Sequence, residues 1–172
     1  MSKYTLIVPI AADTDKMGTE MPYLFGLDSN GLMYCVKSIM GLPLEAFSDI
    51  YFTILHKHNL RYKLLEMMQI QFERLGIAHK THVYELWEST SSQPETLYHT
   101  VVGNHITGAV LFKDGDSYFT TEVYPENMLY IFPLDGLQVV NPQNKSYVTI
   151  DEQYYITNII EKKIVSRFFC AG

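Results

Sequence analysis

Tyr4-Thr-Leu-Ile-Val-Pro-Ile10 is an apolar run rich in β-branched residues, and this composition predicts a buried β-strand. The charged loop Ala11-Ala-Asp-Thr-Asp-Lys16 follows it directly. Loops that lead from a first strand toward a helix are where backbone N–H groups meet phosphates. Lys16 would add a positive charge to such a site. Asp13 and Asp15 would repel an anion unless a cation lay between them, so a solvated turn is the competing interpretation.

Strands and helices alternate after this loop. Apolar runs predict strands at 50–55, 81–86 and 107–112, and apolar residues at helical spacing predict helices over about 32–40 and 60–75. The remainder of the chain contains only short strand-like runs between turn residues, at 128–133, 137–140, 145–150 and 154–160. This order predicts a Rossmann-like three-layer α/β fold, with a mixed sheet and a β-rich C-terminal part.

Length and composition limit the kind of protein this is. The chain has 172 residues and a net charge of −6, which suits a single domain over 1–172 and argues against nucleic acid as a partner. Cys35 and Cys170 lack the spacing of a disulfide scaffold or zinc ribbon, which predicts a reducing compartment, the cytoplasm. No run approaches the roughly 20 apolar residues of a membrane span. A homo-oligomer is left open.

Two carboxylates two residues apart follow the predicted strand at 107–112, in the sequence Lys113-Asp-Gly-Asp-Ser117. In open α/β sheets, ligands bind at the carboxyl ends of the strands. Asp114 and Asp116 could therefore share a hard cation such as Mg²⁺ or Mn²⁺ through their oxygen atoms. Asp-Gly is also a common turn dipeptide, so a polar turn is the alternative.

A capping box, Ser92-Gln-Pro-Glu95, predicts a helix that begins here and ends near Val102. Amides at this helix N-terminus could bind a phosphate, and Gln93 could contact a base edge. Capping by itself already accounts for Ser92 and Glu95. Late in the chain, Glu161-Lys-Lys163 is either a solvated strand end or a place where a lysine faces a phosphate.

Four segments of the chain, taken in order, resemble those of a known family: Ile10-Ala-Ala12, Pro22-Tyr-Leu-Phe25, Asp114-Gly-Asp116 and Asn158-Ile-Ile-Glu-Lys162. The chain resembles the sugar-nucleotidyltransferase-like proteins of the GT-A (nucleotide-diphospho-sugar transferase) fold, of the type associated with bacterial capsule and surface-polysaccharide synthesis. Asp13 and Asp15 stand where that family has glycines in its first loop. Lys16 matches the arginine of that loop if the loop is one residue shorter, and Met21 replaces a lysine.

The resemblance implies transfer of a nucleoside monophosphate from a nucleoside triphosphate to a phosphorylated sugar or a similar small acceptor. It implies that Asp114 and Asp116 hold the metal, and that Lys16 and Lys162 act in catalysis by facing phosphates. The nucleotide-binding residues that it implies are Ala11, Ala12, Asp13, Ser91, Ser92, Gln93 and Thr96.

The resemblance also implies a further strand and helices after Phe168-Phe-Cys-Ala-Gly172, so we expect the chain to lack the C-terminal portion of the family fold. Three alternatives stay open. The first is a nucleotidyltransferase-like binding module without catalysis, and the second is a glycosyltransferase that uses a nucleotide sugar. The third is a phosphatase of the haloacid-dehalogenase type, with Asp114 as nucleophile and Asp116 as acid/base.

Overall fold

The structure of the protein is a computed structural model that describes residues 4–13, 22–135 and 141–172. Lys16 and the predicted strand at 137–140 lie outside the described residues. The chain divides into two compact units, Met1–Pro125 and Glu126–Gly172. The single domain predicted over 1–172 stays a prediction.

The first unit is built on a parallel sheet whose central strand is the opening apolar run. Leu6, Ile7 and Val8 of that strand are fully buried, as a strand covered on both faces requires. All pairings are parallel, so the carboxyl ends of the strands meet at one edge of the sheet. The strands are β1 (Tyr4–Pro9), β2 (Phe47–Leu55), β3 (Thr81–Leu86) and β4 (Val110–Phe112), in the order β3-β2-β1-β4.

Helices cover both faces of this sheet. Neighbouring residues of β2 point to opposite faces: Phe52 stacks on Phe72 with 5.3 Å between ring centroids, whereas the hydroxyl of Thr53 lies 2.6 Å from that of Thr100. Phe72 and Thr100 belong to different helices, so the predicted three-layer α/β architecture is confirmed. The helices are α1 (Tyr34–Lys37), α2 (His56–Tyr62), α3 (Leu64–Arg74) and α4 (Gln93–Gly103). Within the described residues, no helix combines the length and the apolar character needed to cross a bilayer.

The structure corrects two of the predicted helices. The helix predicted over 60–75 is interrupted at Lys63, whose φ of 55° is left-handed and which separates α2 from α3. The Asn59 side chain accepts the Leu65 N–H, so a side chain of α2 satisfies a donor in the first turn of α3. The helix predicted over 32–40 is limited to α1 and continues as turns. Apolar spacing persists across both interruptions and therefore did not reveal them.

The second unit is an antiparallel sheet with the order β5-β8-β6-β7. Its buried residues include Tyr147, Val148 and Phe169. The β-rich C-terminal part is thus a sheet of its own, and its last strand was not predicted from the sequence. The strands are β5 (Ile131–Pro133), β6 (Ser146–Ile150), β7 (Ile156–Glu161) and β8 (Phe168–Cys170).

Candidate functional site

A cavity of about 340 Å³ lies at the carboxyl edge of the parallel sheet. The loop after β1 and the loop before α4 line it, and its size falls at the lower end of the range for ligand pockets in proteins. All seven residues predicted to bind nucleotide are among its lining residues. The structure thus brings together two segments that are about 80 residues apart in the sequence. The lining residues are Pro9, Ala11, Ala12, Asp13, Thr90, Ser91, Ser92, Gln93 and Thr96.

The loop before α4 is held by hydrogen bonds among its own side chains. The Ser92 hydroxyl accepts the Glu95 N–H, as the capping box predicts. The Glu95 carboxylate accepts both the N–H and the hydroxyl of Ser91, each at 2.6 Å, and these bonds lower the pKa of Glu95. The hydroxyls of Thr90 and Thr96 lie 2.5 Å apart. The helix N-terminus is therefore fixed beside the cavity, where its dipole favours negative charge.

Asp13, in the loop after β1, forms an ion pair that offsets its charge. The ammonium of Lys57 lies 2.7 Å from its Oδ1, and Lys57 follows the end of β2 by two residues. Sequence reasoning did not identify Lys57 as a partner of this loop. Its position at the carboxyl end of a strand was the available signal. The Lys57 ammonium therefore neutralises the negative charge of Asp13, which the sequence predicts to repel anions.

Asp114 and Asp116 lie in the loop after β4. Asp114 is half-buried and Asp116 is exposed, and each accepts a hydrogen bond from a specific side chain. The side-chain amide of Gln93 donates to Asp114 Oδ1, which connects this loop to the cavity. The hydroxyl of Tyr23 donates to Asp116. Partial desolvation of the Tyr23 phenol, together with the negative charges of Asp116 and Asp114 and its hydrogen bond to Asp116, raises its pKa to about 12.

The buried ammonium of Lys113 fixes the loop after β4 through hydrogen bonds, and sequence reasoning did not predict this role. Lys113 is 1% exposed, and its ammonium donates to the Asp114 carbonyl at 2.9 Å, and to the carbonyl and hydroxyl of Ser117 at 2.7 and 2.6 Å. The ring of Phe119 lies 4.6 Å from the same ammonium. A charge this deeply buried persists only when it is well bonded. The loop that carries Asp114 and Asp116 is therefore folded around the buried ammonium of Lys113.

Gly115, between the two aspartates, has no room for a side chain. A Cβ atom at this position would lie 2.4 Å from Cγ2 of Ile10, the residue that follows β1. The loops after β1 and β4 are therefore in direct contact at Gly115. This packing gives a physical reason for glycine between the two carboxylates.

The carboxylates of Asp114 and Asp116 offer hard oxygen atoms, which is the chemistry that Mg²⁺ or Mn²⁺ prefers. Across the described ranges, no group of three or more His, Cys, Asp or Glu side chains converges. Two carboxylates suit Mg²⁺, which usually keeps several waters and takes further ligands from substrate phosphates. The residues present thus fit such an ion.

A second cavity, of about 240 Å³, reaches Asp116 from the side of α1. Tyr23, Tyr34 and Tyr118 line it, so it presents aromatic rings and phenol hydroxyls. Lys37 also lines it and forms an ion pair with Asp28 at 2.8 Å. The lysine's hydrogen bond and those of nearby amides lower the pKa of Asp28 to about 2.

Lys162 directly follows β7 in the second unit and is exposed. The ammonium of Lys162 lies 3.1 Å from the carboxylate of Glu161, and the backbone N–H of Lys162 donates to the Lys145 carbonyl. These contacts are those of a solvated strand end. The roles of Lys162 and Lys16 in facing phosphates stay predictions.

Comparison with known proteins identifies solved structures that have a similar fold. No protein-family model matches the sequence, and no match was found among curated proteins. Among solved structures, the chain is similar to the inositol-1-phosphate CTP transferase from T. maritima, with a TM-score of 0.69 and 13% identity over 99% of this chain and 69% of that one. It is also similar to the nucleoside-diphosphate-sugar pyrophosphorylase from Vibrio cholerae RC9, with a TM-score of 0.72 and 18% identity over 96% of this chain and 70% of that one. The protein therefore shares the α/β fold of these two structures.

Proposed function

We propose that this protein is a nucleotidyltransferase that transfers a nucleoside monophosphate from a nucleoside triphosphate to a phosphorylated sugar or a similar acceptor. We assign it to capsule or surface-polysaccharide synthesis in the cytoplasm. The observation that carries the activity is that all seven predicted nucleotide-binding residues line one cavity, with Asp114 bonded to Gln93 beside it. The names of the two similar structures, a CTP transferase and a sugar pyrophosphorylase, support the same reaction class.

In the proposed reaction, a phosphate oxygen of the acceptor attacks the α-phosphorus of the triphosphate. A new P–O bond forms to the acceptor, the bond from the α-phosphorus to the bridging oxygen of pyrophosphate breaks, and pyrophosphate leaves with that electron pair. The acceptor phosphate is already ionised, so no proton has to be removed from the nucleophile. Catalysis then rests on positioning and on stabilising negative charge.

The described residues divide these tasks. The N-terminus of α4 places partial positive charge at the cavity, where the phosphates of the nucleotide would lie, and the Lys57 ammonium neutralises Asp13 there. Asp114 and Asp116 would hold Mg²⁺ or Mn²⁺, which when bound supplies further positive charge to the triphosphate. Gln93 and Tyr23 orient the two carboxylates through their hydrogen bonds. Lys162, and Lys16 outside the described residues, are proposed to face phosphates as well.

We place the acceptor in the second cavity, because that cavity borders Asp116. The exposed faces of Tyr23, Tyr34 and Tyr118 could pack against the apolar edges of a sugar-like ring, and their hydroxyls could bond its hydroxyl groups. An acceptor held there would have its phosphate next to the proposed metal ligands.

The test of this proposal measures ligand stabilisation and turnover. The protein is heated with CTP, UTP, GTP or ATP, with and without Mg²⁺, and pyrophosphate release is followed with a panel of sugar phosphates. A nucleotide at 100 times its Kd stabilises the fold by about 2.7 kcal/mol. We expect one triphosphate to stabilise the protein in a Mg²⁺-dependent manner, and Asp116→Ala to abolish the Mg²⁺ dependence.

Glu66→Ala, on the exposed surface of α3, is the matched control and should leave the Mg²⁺ dependence unchanged. Stabilisation without turnover for any acceptor would favour a binding module. A stronger response to nucleotide sugars than to triphosphates would favour a glycosyltransferase, and hydrolysis of simple phosphoesters would favour a phosphatase. No response to any nucleotide would overturn the proposal.

A further inference from the structure

Trp87 is the only tryptophan of the chain, and it directly follows β3 at the carboxyl edge of the sheet. It is 78% exposed, which leaves most of a large apolar side chain in contact with water. A scattered surface hydrophobic residue needs no explanation by itself. Trp87 is different because its orientation is fixed.

The indole rests on the ring of His56, with 3.9 Å between the ring centroids and an angle of 32° between the planes. The parallel register pairs Leu55 with Leu86, so the next residues of the two strands, His56 and Trp87, lie side by side. His56 is held in turn by Glu85, whose Oε2 lies 2.7 Å from its Nδ1. The side-chain amide of Asn59 donates to the same carboxylate oxygen at 3.2 Å. We call Trp87 and His56, with these two supports, the indole platform.

The indole platform stands beside the larger cavity. Lys57, the residue after His56, binds Asp13, which lines that cavity. Leu86, the residue before Trp87, packs in one cluster with Ala11, another lining residue. Thr90 also lines the cavity, and its Cα lies within about 11 Å of that of Trp87 because three residues cannot span more. Trp87 and His56 are not themselves among the residues that line the cavity, but they follow β3 and β2 at the same edge of the sheet and so lie on its β2–β3 side.

The proposed metal ligands lie on the opposite side of the cavity, where Asp114 accepts a hydrogen bond from Gln93, a lining residue. The strand order is β3-β2-β1-β4, and Asp114 follows β4. A nucleotide with its phosphates near Asp114 and the loop after β1 would therefore extend its other end toward β2 and β3. A cavity of about 340 Å³ is small for a complete nucleoside triphosphate, so part of the molecule must lie outside it.

We infer that Trp87 stacks on the base of the bound nucleotide. This inference rests on the proposed function and adds a residue to its site that none of the predicted positions includes. The uncovered face of the indole offers a flat aromatic surface whose orientation is set before any ligand arrives, which lowers the ordering cost of binding. Every base has a π-face, so stacking supplies affinity for all four bases, and the choice among them falls to hydrogen-bonding groups elsewhere in the site.

The single tryptophan makes a direct test available, because its fluorescence reports the indole platform alone. The wild-type protein is titrated in Mg²⁺ with the four nucleoside triphosphates and, separately, with inorganic tripolyphosphate, which carries the phosphates without a base. We expect saturable quenching by the nucleotides and none by tripolyphosphate.

Affinities of all variants are measured by calorimetry, since the two Trp87 variants lack the fluorescent group. Trp87→Ala should weaken every nucleotide by about 5- to 150-fold and leave tripolyphosphate binding unchanged. Trp87→Phe should keep most of the affinity because an aromatic face remains. His56→Ala should give an intermediate loss, since the indole is then no longer held in place. Tyr98→Ala, at an exposed aromatic residue on α4, is the control and should change nothing.

Nucleotide binding without a change in Trp87 fluorescence would overturn the inference and leave the proposed function intact. So would equal nucleotide affinities of Trp87→Ala and the wild type, or a loss of self-association in Trp87→Ala with unchanged nucleotide affinity. If no nucleotide binds in the thermal experiment, the proposed function itself fails, and the two failures are thereby distinguished.

Discussion

The loop that lines the larger cavity, residues 90–96, and the loop that carries the two aspartates, residues 113–117, are held in contrasting ways. The first is mostly exposed, and several hydrogen bonds among its own side chains share the task of fixing it. The second is wrapped around one buried ammonium, that of Lys113, and is packed against Ile10 at Gly115. This contrast indicates that a loop fixed by several exposed hydrogen bonds tolerates the loss of any one of them. A loop fixed by a single buried ammonium does not tolerate the loss of that ammonium.

Lys113→Met should have the largest effect, because it removes the ammonium and leaves three oxygen acceptors of the loop without that donor. We expect the free energy of unfolding to fall by about 2–4 kcal/mol, since hydrogen bonds to charged groups contribute about 1.5–3 kcal/mol each and are not additive. Denaturant unfolding measures this loss. We further expect weaker Mg²⁺-dependent nucleotide binding, because Asp114 and Asp116 would no longer be held in place.

The control for this substitution is Lys163→Met, at an exposed lysine. It should change stability by less than about 0.5 kcal/mol. If the two variants unfolded at the same denaturant concentration, the contrast between the two loops would be lost.

Ser92→Ala should have a smaller effect, because it removes one bond of the shared network. Loss of an N-cap side chain costs about 1 kcal/mol, and the Glu95–Ser91 and Thr90–Thr96 bonds remain. A thermal melt should show a decrease of a few degrees in Tm. A loss as large as that of Lys113→Met would mean that the loop depends on Ser92 alone.

Glu95 should contribute to the free energy of unfolding in a pH-dependent way, and we expect this effect to be the smallest of the series. Donation by Ser91 lowers the pKa of Glu95 in the folded state below its ordinary value of 4.5. The stability that this carboxylate adds is therefore fully present above pH 4.5 and is lost as the pH falls through the lowered pKa. Urea unfolding between pH 3 and 6 should show this slope in the wild type, and Glu95→Gln should reduce it. An unchanged slope in that variant would show that other groups cause it.

Local sequence signals predicted the parts of the fold that local interactions determine. The apolar run of β1 and the capping residues of α4 carry their information within a few residues, and both elements lie where they were expected. The convergence of residues 11–13 and 90–96 on one cavity followed from the rule that carboxyl ends of parallel strands share an edge.

The missed features depend on contacts that no short window of sequence contains. Nothing near Asp13 indicates that Lys57 will bind it, because that ion pair exists only once β1 and β2 are adjacent. Burial of Lys113 likewise requires Phe119 and the loop to close over it, and a lysine beside aspartates is usually solvated. The interruption at Lys63 lies inside an unbroken apolar pattern, so periodicity alone could not show it.

The contact between Gly115 and Ile10 has a consequence for how this sequence can change over time. A side chain at 115 meets the γ2 methyl group of residue 10, so the two positions cannot vary independently. A substitution such as Ile10→Leu removes the γ2 methyl group and would give alanine space at 115 that the present sequence denies it. In a library that randomises both codons, survivors with a larger residue at 115 should carry a residue without the γ2 branch at 10.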